Sequence, residues 1–289
     1  MRYYQVGEEG ASRLVLETDG DVYDLTAANS SVEAFGDLAR AASIADTDID
    51  EIASRLTDSA PTLSAETATD SLQTPVHADE VWAAGVTYHI SEKARQEEST
   101  KPEMYLDVYE ADRPEVFLKA TPNRLVGPDD AVGIRNDSEW DVPEPELGVV
   151  LYKGDIVGYT VGNDMSSRSI EGENPLYLPQ AKVYDRCCSI GPCVRSASSL
   201  DDPHDLEMWM TIQRDGETMY EDTTSTGEMV RTVHELVDCY TDHNAVPDLS
   251  VLLTGTALVP DEGFTLRDDD VVDIGIEDIG RLSNDVTTV

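Results

Sequence analysis

The sequence predicts a mainly β protein with some α-helix, in which short strands form a closed or rolled sheet. From Val76 onward, short apolar runs alternate with Gly, Pro and Asp, and few stretches have helical periodicity. Residues 1–75 differ, because they combine one hairpin pattern with helical patterns and contain no chemical motif. We therefore expect a small N-terminal α+β domain at 1–75 and a β-rich domain at 76–289 that carries the chemistry.

The composition is strongly acidic. Of 289 residues, 59 are Asp or Glu and 20 are Lys or Arg, which gives a net charge of −39. Nucleic acids and anionic membranes bind basic surfaces, so neither is an expected partner. Apolar residues make up 40% of the chain and lie between the acids throughout, unlike in a disordered acidic tail. The scarcity of lysine resembles proteins of salt-in halophiles, and we interpret the charge as adaptation to salt.

Nothing in the sequence predicts secretion or membrane insertion. No stretch reaches the roughly 20 apolar residues of a membrane span, and residues 1–5 lack a signal-peptide pattern. The cysteines have neither zinc-site spacing nor a redox Cys-x-x-Cys pair; they are Cys187, Cys188, Cys193 and Cys239. We therefore expect buried free thiols and a cytoplasmic location.

Taken in order, the N-terminal region contains a predicted hairpin, with strands at 12–17 and 22–25 joined by Thr-Asp-Gly-Asp. Helical patterns begin at 31–35 and at 48–55, and the Ser- and Thr-rich residues 59–72 predict a loop. In the β-rich region the predicted strands are 81–88, 114–119, 206–212, 248–253 and 271–276. The predicted helices there are 91–98, with Ser91 as N-cap, and 228–240.

The most informative stretch is an acidic hairpin. Two apolar runs, 147–152 and 156–161, flank a Lys-Gly-Asp turn, which predicts an antiparallel pair of strands. Glu144 and Glu146 are two residues apart and so share one face of their strand. Asp164 and Glu144 each lie ten residues from the turn glycine and are expected to face each other. Three carboxylates therefore converge at the open end of the hairpin.

Converging carboxylates repel one another, so a hard divalent cation is the natural occupant of such a site. A ligand set made only of oxygen favours Mg²⁺, Mn²⁺ or Ca²⁺ over zinc and copper. Three carboxylates also leave about half of a six-coordinate shell for water or a chelating substrate. The sequence thus predicts a Mg²⁺ site, with Mn²⁺ as the alternative metal. The competing interpretation is one more solvated acidic cluster.

Short motifs follow one another in a fixed order along the β-rich region. They are Phe-Leu-Lys at 117–119, Glu-Pro-Glu-Leu at 144–147, Gly-Tyr-Thr-Val-Gly-Asn-Asp-Met-Ser-Ser-Arg at 158–168, Ala-Lys-Val-Tyr-Asp at 181–185, Gly-Pro at 191–192 and Thr-Gly-Thr at 254–256. Together they resemble the fumarylacetoacetate hydrolase family. The resemblance implies a twisted β-roll with a metal held by Glu144, Glu146 and Asp164. It also implies a homo-oligomer, either a dimer or a tetramer.

Within that family the chain is most similar to archaeal dehydratases of 2-keto-3-deoxy-pentonates, through residues 84–88, 109–115 and 171–182. Family hydrolases carry Asn-Tyr-x-x-His-x-x-Glu, whose His-Glu pair activates water. Here the histidine position is Ser91 and the glutamate position is Ala94, which puts hydrolysis in doubt. The resemblance implies instead that water is removed from 2-keto-3-deoxyxylonate or the arabinonate isomer to give 2,5-dioxopentanoate.

That reaction needs particular chemical groups. Chelation of a divalent cation by the carboxylate and 2-oxo oxygens of the substrate acidifies the C3 protons. A base must then remove a C3 proton, and an acid must assist loss of the C4 hydroxyl. Lys182 and Glu115 are our candidates for these two groups. Their structural alternatives are an ion pair with the ligand carboxylates for Lys182 and surface solvation for Glu115. Arg168 is expected to hold the ligand carboxylates or a loop in place.

Other residues are candidates for substrate contact. Lys119 either contacts a substrate oxygen or balances the carboxylates. Gly255 and Thr256 lie where the family binds the oxoacid end of its substrates. Tyr88 and Ser91 lie in the slot of the hydrolase His-Glu pair and are expected to contact substrate hydroxyls.

Two other functions remain as alternatives. One is a C–C bond hydrolase or an oxaloacetate-type decarboxylase that uses the same metal platform. The other is a non-catalytic acidic protein that binds divalent ions. For the dehydratase, the expected partner is a small-molecule 2-oxo sugar acid, and no organic cofactor is needed.

Overall fold

The computed structural model describes residues 1–7, 12–69, 71–88, 111, 113–260 and 263–289. The predicted mainly β architecture is confirmed, since strands dominate the described chain and its helices are short. The strands are β1 (Arg2–Val6), β2 (Arg13–Thr18), β3 (Asp21–Asp24), β4 (Thr62–Leu63), β5 (Glu80–Gly85), β6 (Glu115–Ala120), β7 (Leu125–Val126), β8 (Val132–Ile134), β9 (Asp141–Val142), β10 (Pro145–Tyr152), β11 (Asp155–Asp164), β12 (Ser166–Ser167), β13 (Cys188–Ser196), β14 (Glu207–Arg214), β15 (Glu217–Ser225), β16 (Leu249–Leu253), β17 (Val271–Ile276) and β18 (Gly280–Thr288). The helices are α1 (Leu25–Ala28), α2 (Phe35–Ala45), α3 (Ile49–Thr57), α4 (Ala65–Thr69), α5 (Arg168–Glu173), α6 (Leu178–Lys182) and α7 (Val233–Thr241).

Most of the strands belong to one large sheet. Its order is β4-β3-β2-β1-β13-β11-β10-β16-β5-β6, with β7 paired to β13. A second sheet has the order β15-β14-β17-β18-β8, and β9 and β12 form a short pair of their own. Buried apolar residues of both sheets form one continuous core. This arrangement places β10 and β11 in the middle of the large sheet, where both strands are covered.

The N-terminal strands extend the large sheet. The predicted hairpin is confirmed by β2 and β3, and β1 pairs with both β2 and β13. Both predicted helices are present as α2 and α3, and the Asp48 side chain caps α3. The loop predicted at 59–72 is wrong in part, because β4 adds to the edge of β3 and α4 follows it. The division of the chain at residue 75 stays a prediction.

The remaining helix predictions differ in outcome. The helix predicted at 228–240 is present as α7 but begins later, at Val233. Its start is set by a capping box, in which Glu235 N donates to Thr232 Oγ1 at 3.2 Å and Thr232 N donates to Glu235 Oε2 at 2.7 Å. The helix predicted at 91–98 lies outside the described residues.

All four cysteines are free, as predicted, and all but the half-buried Cys239 are buried. Within the described ranges, no helix has the length and apolar character that crossing a bilayer requires.

β10 and β11 form the predicted acidic hairpin, and its register contains a shift. Next to the turn the strands pair in one register, and beyond Val157 they pair in another, shifted by one residue. Val157 is therefore a β-bulge, an extra residue on one strand. Without the bulge, Asn163 would lie opposite Glu144. With it, Asp164 does, and Asp164 N donates to Glu144 O at 2.9 Å.

Gly158 follows the bulge at a point where β11 is tightly packed on β13. A Cβ at this position would lie 2.4 Å from Val194 Cγ1 and 2.7 Å from the Arg195 carbonyl oxygen. Because overpacking forces the neighbouring strand to move, we expect Gly158→Ala to lower the free energy of unfolding by about 1–3 kcal/mol. Denaturant unfolding measures it. Asp155→Ala, at the exposed end of the same strand, is the control and should change stability little; equal effects would contradict the packing argument.

Candidate metal centre

Three carboxylates meet at the open end of the hairpin, as the sequence predicts. Glu144 immediately precedes β10, Glu146 is its second residue and Asp164 ends β11. One oxygen from each lies within 4.8 Å of the others, and all three side chains are buried. The predicted grouping is therefore present, and it is no solvated surface cluster.

Two buried lysines face these carboxylates. Lys182 Nζ, at the end of α6, lies 2.6 Å from Glu144 Oε2 and 3.3 Å from Asp164 Oδ2. Lys119 Nζ, in β6, lies 2.6 Å from Asp164 Oδ1. It also donates to the carbonyl oxygens of Met165 and Lys182. Two hydrogen bonds to carbonyl oxygens and the ion pair with Asp164 thus hold the Lys119 ammonium group, which favours its charge-balancing role over substrate contact.

Arg168 adds a third cation from the start of α5. Its Nη2 lies 2.8 Å from Glu144 Oε1, and both side chains are buried. Glu144 thus receives Lys182 on one oxygen and Arg168 on the other. Of the two roles expected for Arg168, this contact matches the one in which it holds a ligand carboxylate.

Glu146 differs from the other two carboxylates. Gly255 N donates to its Oε2 at 2.6 Å, but among the described residues no Lys, Arg or His lies within ion-pair distance of it. Burial, together with the charges of Asp164 and Glu144, raises the pKa of Glu146 well above its usual value. Its charge is therefore the least compensated in the centre.

The neighbouring carboxylates favour the charged form of the two lysines, whereas they disfavour the charged form of Glu146. Burial by itself would lower the pKa of Lys182, but the carboxylates of Asp164 and Glu144 outweigh it, so the pKa is raised. Burial would likewise lower the pKa of Lys119, but Asp164 together with Cys187 and Cys188 outweighs it, so this pKa is also raised. A metal cation beside Lys182 would act in the other direction and lower its pKa, as a base near neutral pH requires.

These features fit a hard divalent cation. The candidate ligands are all carboxylate oxygens, which suits Mg²⁺ or Mn²⁺ and not zinc or copper. Glu146 supplies an under-compensated negative charge that a cation would satisfy. Glu144, Glu146 and Asp164 are therefore the residues that would hold the metal.

A small cavity opens beside the carboxylates. Its walls come from several elements and include Ala84, Gly85, Val86, Phe117, Glu144, Glu146, Asp164, Arg168, Lys182, Gly255 and Thr256. Glu115 does not line it, but it starts β6 opposite Gly85 and is half-buried. Because alternate residues of a strand share a face, Glu115 lies on the same face as Phe117 and Lys119.

The structure brings the predicted glycine and threonine to the cavity. Gly255 has a φ of +86°, and a Cβ there would lie 2.0 Å from Thr87 Oγ1, so only glycine lets its amide reach Glu146. The Thr256 hydroxyl accepts from Leu258 N at 3.1 Å and lies 3.3 Å from Leu258 O. Thr256 thus stabilises its own loop, and its contact with substrate stays a prediction.

Tyr88 and Ser91 have different outcomes. Tyr88 is fully buried, and its backbone bridges to Met229. Burial and the nearby Glu146 charge raise the pKa of its phenol, so the hydroxyl stays protonated. Ser91 lies outside the described residues, so its predicted role stays a prediction.

Sequence reasoning gave no role to two residues of the centre. The Phe117 ring lies 5.9 Å from Lys182 Nζ, and its two-residue spacing from Lys119 indicated a shared strand face. Glu171 is buried in α5, where Ser166 Oγ donates to it at 3.2 Å. Its three-residue spacing from Arg168 is the helical signal that places both on one face.

Comparison with known proteins places these residues in a family context. Residues 80–287 match the family model described as fumarylacetoacetate (FAA) hydrolase, C-terminal. A protein of Haloferax volcanii named "Probable 2-keto-3-deoxyxylonate dehydratase" is 62% identical over 289 residues, all of both chains. The 2-dehydro-3-deoxy-D-arabinonate dehydratase of Saccharolobus solfataricus is 42% identical over 213 residues, 72% of each chain. A solved structure of 2-keto-3-deoxy-D-arabinonate dehydratase complexed with magnesium and 2,5-dioxopentanoate has a TM-score of 0.81 at 32% identity, and the match covers 100% of this chain and 99% of that one.

The weakly compensated charge of Glu146 predicts that its replacement has opposite effects on stability without and with Mg²⁺. Glu146→Gln removes a like charge from the cluster, so we expect it to be at least as stable as the wild type in chelator. At a Mg²⁺ concentration of 100 times Kd, the wild type should gain about 2.7 kcal/mol of unfolding free energy, and Glu146→Gln should lose most of that gain. Thermal unfolding with and without Mg²⁺ measures both effects.

Glu139→Gln, which removes an exposed acid two residues before β9, serves as the control and should retain the full Mg²⁺ effect. If Glu146→Gln keeps the same Mg²⁺-dependent gain as this control, Glu146 is not a ligand.

Proposed function

The chain belongs to the fumarylacetoacetate hydrolase family, and from this premise we propose that it is a Mg²⁺-dependent hydro-lyase that converts a 2-keto-3-deoxy-pentonate to 2,5-dioxopentanoate. The observation that carries the proposal is the buried group of three carboxylates faced by Lys182 and Lys119. A relative 62% identical over the whole chain bears the name of such a dehydratase. The substrate is either the xylonate or the arabinonate isomer.

A 2-oxo acid suits this site because its carboxylate and keto oxygens can complete a coordination shell that three protein carboxylates leave partly open. A cation bound by these groups would polarise the 2-oxo group and acidify the C3 protons. Magnesium is the proposed metal, since a related structure contains it, and Mn²⁺ is the alternative. No organic cofactor is required.

Lys182 and Glu115 are the proposed proton-transfer groups. One takes a proton from C3 and the other gives a proton to the departing C4 hydroxyl, so one water leaves for each molecule of substrate. This elimination leaves a C3=C4 double bond conjugated with the 2-oxo group. Loss of a proton from C5 and return of a proton to C3 move the double bond to C4–C5, and the resulting enol takes up a proton at C4 and loses its hydroxyl proton to give the aldehyde. Lys182 Nζ is held 2.6 Å from Glu144 Oε2, so its proton position is fixed beside the metal ligands. Glu115 shares the strand face of Phe117, which lines the cavity.

Other residues have supporting roles in the proposal. Lys119 holds Asp164 and balances its charge. Gly255 fixes Glu146 through its amide, and it joins Thr256 in binding the oxoacid end of the substrate. Tyr88 and Ser91 contact the substrate hydroxyls. By family resemblance we also propose a cytoplasmic homo-oligomer, either a dimer or a tetramer.

A direct assay tests the reaction. The purified protein is incubated with Mg²⁺ and either 2-keto-3-deoxyxylonate or the arabinonate isomer, and the aldehyde product is measured. We expect one of these acids to be dehydrated, chelator to abolish turnover and Mg²⁺ to restore it. Turnover of an acylpyruvate or of oxaloacetate, with no aldehyde from either sugar acid, would instead identify a hydrolase or a decarboxylase.

Replacement of Lys182 tests its role. Because Lys182→Ala removes a proton-transfer group but no metal ligand, we expect kcat to fall by about 10²–10⁴-fold while Mg²⁺ affinity is retained. Turnover assays and calorimetric Mg²⁺ titration measure the two quantities. Lys153→Ala is the matched control, since Lys153 is more than half exposed at the opposite end of the hairpin. Retained turnover in Lys182→Ala would remove this lysine from the mechanism.

A further inference from the structure

The backbone of Glu144 has an unusual environment for a strand entry. Pro143 and Pro145 flank it, and proline has no N–H, so Glu144 carries the only backbone donor of the three residues. That N–H donates at 3.2 Å to a side-chain oxygen of β11, Asn163 Oδ1, and not to a backbone carbonyl. The Glu144 carbonyl accepts from Asp164 N at 2.9 Å. Both backbone polar groups of Glu144 therefore end on the last two residues of β11.

Asn163 itself is not placed to bind a metal. It alternates with Asp164 along β11, so its side chain leaves the strand on the face opposite to that of Asp164. Its cross-strand partners are Pro145 on one side and Ser189 on the other. The side chain is fully buried in this position.

Of the two polar atoms in the Asn163 side-chain amide, only the oxygen takes part in a hydrogen bond among the described residues. A backbone N–H can only donate, so the atom that faces Glu144 must be Oδ1. Among the described residues, Asn163 Nδ2 has no hydrogen-bond partner. Buried donors without partners are rare and unfavourable, so the position keeps an amide in spite of its N–H₂ group and not because of it. The acceptor oxygen is the part that the structure uses.

Each alternative at this position would either lose the acceptor or add a charge. An apolar residue would leave the buried Glu144 N–H without an acceptor. A shorter hydroxyl side chain would not reach it. Aspartate would supply the acceptor, but it would bring a further carboxylate to a hairpin end that already holds three. Asparagine is the neutral side chain of the right length.

We infer that Asn163 is a positioning residue, which fixes the backbone of Glu144 and thereby the angle at which its carboxylate enters the metal centre. The inference rests on the proposed function, because it takes Glu144 as a metal ligand. The Glu144 carboxylate also bears the contacts of Lys182 and Arg168, so a shift of its backbone displaces both cations. Loss of the Asn163 acceptor therefore acts on metal affinity and not only on stability.

Three variants test this inference in the full-length protein. Asn163→Leu and Asn163→Ser remove the acceptor, whereas Asn163→Asp restores it. Groups that orient metal ligands typically contribute 10–100-fold to affinity, so we expect Leu and Ser to weaken Mg²⁺ binding by about that factor. Asn163→Asp should bind Mg²⁺ more tightly than either. Calorimetric titration with Mg²⁺, and Mn²⁺ titration followed by electron paramagnetic resonance, measure affinity independently of turnover.

Asn284→Ser is the matched control. Asn284 is an equally buried asparagine in β18, which donates to the carbonyls of Gly127 and Asp130 at 2.9 Å each and accepts from Ser189 Oγ at 2.7 Å. Its replacement should lower the melting temperature and leave Mg²⁺ affinity unchanged. A purely structural role for Asn163 would give the same pattern.

The outcomes separate the two proposals. Wild-type Mg²⁺ affinity in Asn163→Ser and Asn163→Leu, or an Asn163→Asp variant as weak as the leucine variant, overturns the positioning role alone. Failure of the wild type to bind any divalent cation overturns the proposed function and the inference together. If the leucine variant does not fold, the serine and aspartate variants decide the question.

Discussion

Mutual repulsion among Glu144, Glu146 and Asp164 is the constraint on which the rest of the centre depends. Three buried carboxylates with oxygens within 4.8 Å of one another are unstable without compensating charge. Lys119, Lys182 and Arg168 supply that charge, and within the described part of the chain their ion pairs with these three carboxylates go to Glu144 and Asp164. The protein therefore neutralises two carboxylates with its own cations and leaves the third to a backbone amide. The negative charge left at Glu146 favours binding of a divalent cation.

The chain as a whole is poor in lysine, whereas the metal centre is rich in it. At a net charge of −39, the sequence holds only five lysines, and two of them are buried in the metal centre. Exposed charges interact weakly with one another in salt. Buried charges are not screened in this way, so the centre retains its lysines. Screening by salt thus reduces the repulsion among surface acids, whereas the buried carboxylates depend on direct contact with cations.

The hairpin depends both on local sequence features and on packing against the rest of the sheet. Its turn and its apolar alternation are local features, but the bulge at Val157 decides which residue faces Glu144. A bulge depends on packing against both neighbouring strands, here β13 and β16. Once the register is set, Asp164 joins the metal face and Asn163 turns away from it. One extra residue thereby distinguishes a candidate ligand from a residue that orients one.

The sequence by itself determined the mainly β class, the acidic hairpin and the shared face of Glu144 and Glu146, because strand alternation and a short turn act over a few residues. The predicted pairing of Asp164 with Glu144 is also present, but it arises from a Lys153-Gly154 turn combined with the bulge at Val157. Family motifs added the expectation that Lys119, Lys182 and Gly255 lie near them. Only the tertiary structure decided how the charges are paired, since β6, α5, α6 and the loop after β16 reach the hairpin through the order of the large sheet. It also showed the N-terminal strands as part of that sheet, because the pairing of β1 with β13 joins residues nearly two hundred positions apart. Contacts of that range leave no periodic signal in the sequence.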